Sequence, residues 1–433
     1  MRNTLLYILL LFTSSLQAQE SLTLQQAIET GLKNNYSIII QKNEAAKAEN
    51  NYTLGNAGML PRLDAALVQT NSITDTRQEF ATGSTVDRQG ANANSLNASA
   101  DLNWTIFDGF SMFATYKKLA EFKKAGDINS RLVIEDAVQQ IIDAYYNIVK
   151  QQALLQVIDS SRKISDIKLN IAKTKFQIGA ASRLPYLQAQ VDRNADESLY
   201  KRQLVIISEA KIRLNQLLGR NADVDFTPAD SITNTELNDL QQSVNDAQVN
   251  NAELQLAGSN LEVSRLTIRE WRGQRLPFID VNAGYDFTRS KSEAGIVAEN
   301  KSNGISYGFT IGWNLFNGFN LNRNIKNAKL DYSSAEVRMN EIKTSITAQT
   351  RVAWLQLQST IDIVNLEIQS VTLAKENIDL SIERFRTGLT DELQYKEAQQ
   401  SYIEAANRLV AAKYDASIAA TTLKRITGQL LRK

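Results

Sequence analysis

The 433-residue sequence predicts a mainly α-helical fold with a membrane β contribution. Long antiparallel helical hairpins carry four strands that complete a barrel only between subunits. Three observations carry this. Ser111 to Ile178 holds no proline and one glycine, Gly126, and Asn320 to Thr387 holds neither. The segments between the helical stretches switch to alternation of apolar and polar residues. Finally, "DLNWTIFDGF" returns as "IGWNLFNGF": Trp104, Phe107, Gly109 and Phe110 reappear as Trp313, Phe316, Gly318 and Phe319, each 209 positions later.

At the N-terminus, Arg2 precedes an apolar run from Leu5 to Phe12 and then small and polar residues. This predicts a signal peptide over 1–18, cut after Ala18; a buried N-terminal helix is the competing reading. No later apolar run approaches the ~18 residues of a membrane helix. Of 48 basic residues, Arg2 lies in the signal, which leaves 47 against 47 acidic ones. Zero net charge gives no hint of nucleic acid as a partner. Without cysteine there is no disulfide, thiol nucleophile or lipid-modified cysteine, and without histidine the commonest general base and metal ligand are missing. No catalytic, cofactor or metal site is predicted.

Helices are expected at roughly Leu24 to Ala57 and Leu237 to Gln274. Each leads to a proline segment, "LPRL" from Leu60 and "LPFI" from Leu276, 216 positions apart. Strands follow. "LDAALVQT" places Leu63, Ala65 and Leu67 on one side, and "SLNASADLNWTIF" alternates from Leu96 to Ile106. "FIDVNAGYDFT" and "GISYGFTIGWNLF" alternate in the same way. They define β-hairpins at about 62–107 and 278–316, with the polar tracts Ser72 to Asn94 and Ser290 to Asn303 as outward loops.

Alternation over about ten residues suits a membrane barrel, apolar to lipid and polar to a lumen, although a soluble core also accepts such strands. Four strands cannot close a barrel, because the smallest spanning ones use eight. Open edges in lipid leave backbone groups unsatisfied at several kcal/mol each. Strands that span a bilayer here must therefore share a barrel between subunits. Trp104, Phe107, Phe110, Trp313, Phe316 and Phe319 would sit at the membrane–water boundary, where an apolar ring meets a wet edge. Core packing of these aromatics is the rival reading. Gly109 and Gly318 permit the turn from strand to helix.

The two proline-free stretches carry apolar residues at spacings of three, four or seven, such as Ile134, Val138, Ile141, Tyr145 and Ile148. At 1.5 Å per residue each makes a rod of about 100 Å, which implies a coiled coil or elongated bundle. Each rod reverses at Gly179 or Gly388, the left-handed stop expected after a helix. Return helices then run to Leu218 and Thr427. "FQIGAASRLPYLQAQ" aligns with "FRTGLTDELQYKEAQ" at the same spacing of 209. The chain thus divides into two structural repeats, 19–228 and 229–433.

Strand hairpin, long helix, glycine turn and return helix, all repeated once, give a sequence similar to the TolC-like outer-membrane efflux protein family. The resemblance covers essentially the whole chain after residue 18. It implies a homotrimer with a twelve-stranded barrel in outer-membrane lipid and a periplasmic α-barrel of paired helices. It also implies an exit duct of a tripartite efflux or type I secretion system, partnered by a periplasmic adaptor and an inner-membrane transporter, with no chemistry of its own. In the family, acidic rings constrict the periplasmic entrance beyond the helical turns. The matching positions are Gln394 and Glu397, and in the first repeat Pro185 and Gln188, so only Glu397 keeps the acid. Gly179, Gly388, Asp391 and Glu392 form the candidate adaptor-contact tip; acids at a solvated helix start also suit the helix dipole. A periplasmic coiled coil or surface fibre anchored by a small barrel is the competing function. It explains the rods but not the duplicated plan.

Overall fold

A computed structural model describes residues 20–232, 237–294 and 297–431. The predicted signal peptide and its cut after Ala18 lie outside the described residues. The first repeat runs β1 (Glu20–Leu22), α1 (Leu24–Asn34), α2 (Tyr36–Asn51), β2 (Arg62–Glu79), β3 (Thr85–Phe107), α3 (Ser111–Gln177) and α4 (Arg183–Leu217). After β4 (Phe226–Pro228) the second runs α5 (Leu240–Asn250), α6 (Ala252–Gly273), β5 (Phe278–Ser292), β6 (Glu299–Gly312), α7 (Asn320–Thr387) and α8 (Glu392–Ile426). The long rod α7 spans the expected residues, and α3 ends one residue early.

The chain packs as two compact units that cut across the repeats. One unit holds Glu44–Asp127 and Leu256–Asn340; the other holds the segment ending at Asn43, Ile128–Gln255 and the segment from Glu341. In the first unit, β2, β3, β5 and β6 form an antiparallel sheet in that order. Gly126, the only glycine in the first rod, lets α3 approach α2: a Cβ there would stand 3.1 Å from Ala48 Cβ. In the second unit Leu22, Ala27, Ile141, Tyr145, Ile148, Leu214, Leu218 and Phe226 form a core. The parallel pair β1–β4, unforeseen in the sequence, closes it. Tyr145 donates its hydroxyl proton to Leu22 O or to Asp230 Oδ2, at 2.9 and 3.0 Å, and burial pushes its pKa up to about 12.

The two short helices expected to be continuous are each broken at an asparagine. Asn35 (φ −62°, ψ 125°) and Asn251 (φ −64°, ψ 126°) are extended. Asn35 Oδ1 accepts from Ser37 N and Ile38 N, capping α2, while its Nδ2 donates to Leu217 O at 2.8 Å. Asn251 Oδ1 accepts from Leu254 N, and its Nδ2 donates to Ile426 O at 3.0 Å. One side chain thus starts a new helix and satisfies the end of a return helix. Apolar spacing continues through the break, so periodicity does not register it. These helices also end early, at Asn51 and Gly273, and α5 starts late, at Leu240.

The polar tracts are not loops for most of their length. β2 continues to Glu79 and β3 starts at Thr85; β5 reaches Ser292 and β6 starts at Glu299. Asn, Ser and Thr keep the backbone donors and acceptors a ladder needs, and Asn94 Nδ2 donates to Asn71 Oδ1 across it at 2.6 Å. The second hairpin is also shorter than 278–316. Phe278 is the first residue of β5 and pairs with Gly312, so residues 313–316 have no ladder partner.

Candidate functional site

Two places collect the residues singled out in the sequence: the ends of the long hairpins at Gly179 and Gly388, and the strand-to-helix junctions at Gly109 and Gly318.

At the hairpin ends Gly179 and Gly388 adopt φ of 76° and 81°. Ala180 N donates to Lys175 O and Leu389 N to Arg384 O, the bonds that close a helix over a left-handed residue. Beside these turns the two hairpins are tied together. Lys168 on α3 is 2% exposed, and its ammonium donates to Asp192 on α4 at 2.9 Å and to Glu392 on α8 at 2.8 Å. Lys175 Nζ donates to Phe385 O at 2.8 Å, and Tyr395 donates its hydroxyl proton to Ile164 O at 3.1 Å. Gln399 Nε2 donates to Ser165 Oγ at 3.2 Å. Ile378, Phe385, Tyr395 and Ala398 fill the space between, against Ile164 and Ile171.

Burial pulls the Lys168 pKa down, but its bonds to Glu392 and Asp192 outweigh this and leave it above the ordinary value. Burial pushes Asp192 up, and its bonds to Lys168 and Gln188 bring it below the usual carboxylate range. A raised lysine stabilises the fold until pH rises through its folded pKa, a depressed carboxylate until pH falls through its own. The cluster is therefore intact at neutral pH, and its contribution is lost in acid as pH falls through the depressed pKa of Asp192.

Glu392, a candidate adaptor contact, takes part in this cluster through its bond to Lys168. Asp391 caps α8, accepting from Gln394 N at 2.8 Å. Gln394 and Glu397 are exposed, and Glu397 has no ion pair among the described residues. Pro185 lies in the first turn of α4, half-buried, and Gln188 donates to Asp192 Oδ1. The sequence reading missed Lys168. Its signal was a lysine between Ile164 and Ile171, on the inward seam of an amphipathic rod.

At the junctions the turn from strand to helix uses two residues, not one. Gly109 and Phe110 have φ of 70° and 71°, and Gly318 and Phe319 have 66° and 64°. A left-handed non-glycine residue costs about 1–2 kcal/mol. Edge-on packing of Phe107 with Phe110, centroids 5.1 Å apart, and of Phe316 with Phe319, 5.3 Å apart, offsets part of it. Trp104 Nε1 donates to Met59 O at 3.0 Å and Trp313 Nε1 to Arg275 O at 2.9 Å. The junctions differ in one respect. A Cβ on Gly109 would stand 2.1 Å from Gly273 O, whereas one on Gly318 would meet only Asn320 Nδ2 at 3.7 Å.

The chain matches the sequence profile of the family described as "Outer membrane efflux protein" over residues 27–220 and 243–429, one segment in each repeat. It belongs to that family. It is 21% identical over 361 residues to Outer membrane protein TolC of Salmonella enteritidis, covering 79% of this chain and 71% of TolC. It is 19% identical over 417 residues to Outer membrane efflux protein BepC of Brucella suis biovar 1 (strain 1330), covering 96% and 87%. Its fold is that of the outer membrane protein VceC of Vibrio cholerae (TM-score 0.77, 16% identity, 94% of this chain and 96% of VceC). The CmeC outer membrane channel of Campylobacter jejuni is similar too (TM-score 0.78, 16% identity, 94% and 86%). The chain is an outer-membrane exit duct for efflux, mainly α-helical with a β contribution.

A half-buried acid, Asp143, lies outside both places. Asp143 Oδ1 has no hydrogen-bond partner and faces a cavity of about 250 Å³ lined also by Gln140, Asn147, Arg213 and Tyr414. Burial pushes its pKa up to about 6. A raised acid withdraws stability as pH climbs from its unfolded pKa, about 4, to its folded one. Asp143→Asn should therefore stabilise the protein by about 1 kcal/mol at pH 7.5, a figure reduced for water on its open side, and by nothing at pH 4. Thermal unfolding at the two pH values measures this; an equal shift at both would show that the carboxylate charge is not the cause.

Proposed function

We propose that three copies of the chain share one twelve-stranded barrel in the outer membrane and conduct substrate passively, their hairpins forming a periplasmic tunnel. The duct carries out no chemistry, and works with a periplasmic adaptor and an inner-membrane transporter in efflux or type I secretion. Family membership supports the partners. The sheet supports the sharing: its four strands end in two unpaired edges, β2 and β6.

The observation that carries the mechanism is the Lys168 cluster. Opening the tunnel moves α7–α8 against α3–α4, and that motion breaks the bonds of Lys168 to Glu392, Tyr395 to Ile164 and Lys175 to Phe385 O. Glu397 and Gln394, exposed beyond the second turn, form the constriction inside, with Pro185 and Gln188 at the matching level of the first repeat. Ile178, Leu184, Leu389 and Leu393 are exposed around Gly179 and Gly388. This apolar rim is the adaptor contact, with Asp391 serving as a helix cap within it.

The test is native mass spectrometry of the detergent-purified protein, followed by single-channel recording in a planar bilayer with and without Glu397→Ala. A trimer with small conductance that rises on substitution supports duct and ring together. A trimer that ignores the change keeps the duct and removes Glu397 from the gate. A water-soluble, non-conducting rod favours the fibre. The six junction aromatics bound the membrane layer in this reading. Brominated lipid is therefore expected to quench Trp104 and Trp313 fluorescence at least about twofold more than Trp354 fluorescence, compared in single-tryptophan variants. Equal quenching would remove the aromatics from the interface.

A further inference from the structure

β6 leaves one side of its backbone unpaired and exposes Ile305, Tyr307, Phe309 and Ile311 by 76, 88, 72 and 62%. Such an edge is a template for another strand. The internal repeat states which strand, and in what register.

An offset of 209 carries β3 onto β6, and an offset of 216 carries β2 onto β5. The correspondence holds at the level of backbone pairing. In the first hairpin Arg62 faces Asn103; the offsets turn this pair into Phe278 and Gly312, which face each other in the second hairpin. It holds for side chains as well. The bond from Trp104 to Met59 O becomes, by the same offsets, the bond from Trp313 to Arg275 O.

The remaining ladder, β3 with β5, joins the two repeats inside one chain, with Ala100 facing Tyr285. The offsets turn Ala100 into Phe309 and Tyr285 into Gln69. Those residues lie on β6 and β2, at opposite edges of the same sheet. Only two copies of the chain can bring them together.

We propose that β6 of one copy pairs antiparallel with β2 of the next with Phe309 opposite Gln69, and so with Ile311 opposite Leu67, Tyr307 opposite Asn71, Ser306 opposite Ser72 and Ile305 opposite Ile73. The proposal rests on the shared-barrel reading and deepens it. Side-chain facing agrees with the register, although it did not enter the derivation. Ile305, Tyr307, Phe309 and Ile311 fall on the same sheet face as Leu63, Leu67 and Ile73. A slip of one residue would turn them to opposite faces. A slip of two keeps the face but sets Ile305 against Asn71 or Asp75. The open space at Gly318, where Gly109 abuts Gly273, agrees with a contact completed by another copy.

The chain has no cysteine, so paired substitutions test the register directly. Ser306→Cys with Ser72→Cys, and Tyr307→Cys with Asn71→Cys, are adjacent pairs. One has hydrogen-bonded and the other non-hydrogen-bonded geometry, so one of them is well spaced for a disulfide. The slipped controls are Ser306→Cys with Thr70→Cys and Ser306→Cys with Thr74→Cys. After mild oxidation of the detergent-solubilised protein, the better in-register pair is expected to form covalent oligomers at least about tenfold faster than either control. A slipped pair that links faster overturns the register and leaves the shared barrel standing. No linkage in any pair, from protein that remains trimeric by native mass spectrometry, overturns the β6–β2 pairing. A monomer overturns the shared-barrel reading and this proposal with it.

Discussion

Lys168→Met is expected to open the channel, raising mean single-channel conductance by at least about tenfold at neutral pH. The ammonium is buried and faces two carboxylates on different helices, Asp192 on α4 and Glu392 on α8. Removing one member of a fully buried ion pair costs about 3–5 kcal/mol, because it strands the other charge. Here the carboxylates keep part of their water, so about 2 kcal/mol is a fairer figure. A change of that size, set against the closed arrangement alone, shifts a two-state population by roughly thirtyfold. The companion variants show which helices move. If α7–α8 shifts as a body against α3–α4, the bond to Glu392 breaks on opening and the bond to Asp192 survives. Glu392→Gln should then open the channel and Asp192→Asn should not. Equal effects would place the motion between α3 and α4 instead, and no effect from any of the three would remove the cluster from the gate. Acid gives a second readout: neutralising Asp192, which its bonds to Lys168 and Gln188 hold below the usual carboxylate range despite burial, should cost stability without opening the channel. Lys168→Met should have lost most of that dependence on acid.

The legible and illegible parts of this fold divide along a physical line. A rod such as α7 declares itself because 68 residues without proline or glycine leave few alternatives. The turn at Gly388 declares itself because a left-handed residue after a helix is usually glycine. Asn35 and Asn251 stayed hidden because their role is a tertiary one. Each bonds a carbonyl some 180 residues away, and neither disturbs the apolar spacing around it. The outer strands were lost to composition: Ser72 to Asn94 looks like loop, yet its backbone pairs almost throughout. At the hairpin ends, Asp391 and Glu392 were visible as acids but their partners were not. A lysine 224 positions before Glu392 becomes its neighbour only once α3 and α8 are laid side by side.

Gly219→Ala and Gly428→Ala should be far more damaging than Gly179→Ala and Gly388→Ala, although all four residues have positive φ, between 63° and 81°. The backbone term is common to the four, about 1 kcal/mol for a residue with a Cβ in the left-handed region. At the hairpin turns nothing lies within 4 Å of the added carbon. At Gly219 the carbon would stand 2.5 Å from Asn34 O, and at Gly428 2.5 Å from Asn250 O. Neither carbonyl can retreat easily, because each ends the helix whose next residue, Asn35 or Asn251, is fixed by its own cap. A total of about 3 kcal/mol follows for these two, within the range of backbone-driven losses. Gly428→Ala should be the worse of the pair. Arg131 Nη2 donates to Asn250 O at 3.0 Å and to Gly428 O at 3.3 Å, while its Nε holds the buried Glu135 at 2.7 Å. Displacing that carbonyl loosens the arginine and weakens its bond to a carboxylate that burial already pushes above its ordinary pKa. Helical ellipticity followed through thermal unfolding in detergent ranks the four variants. If Gly428→Ala melted with Gly388→Ala, the close approach of the return helix to α5 would not exist in solution.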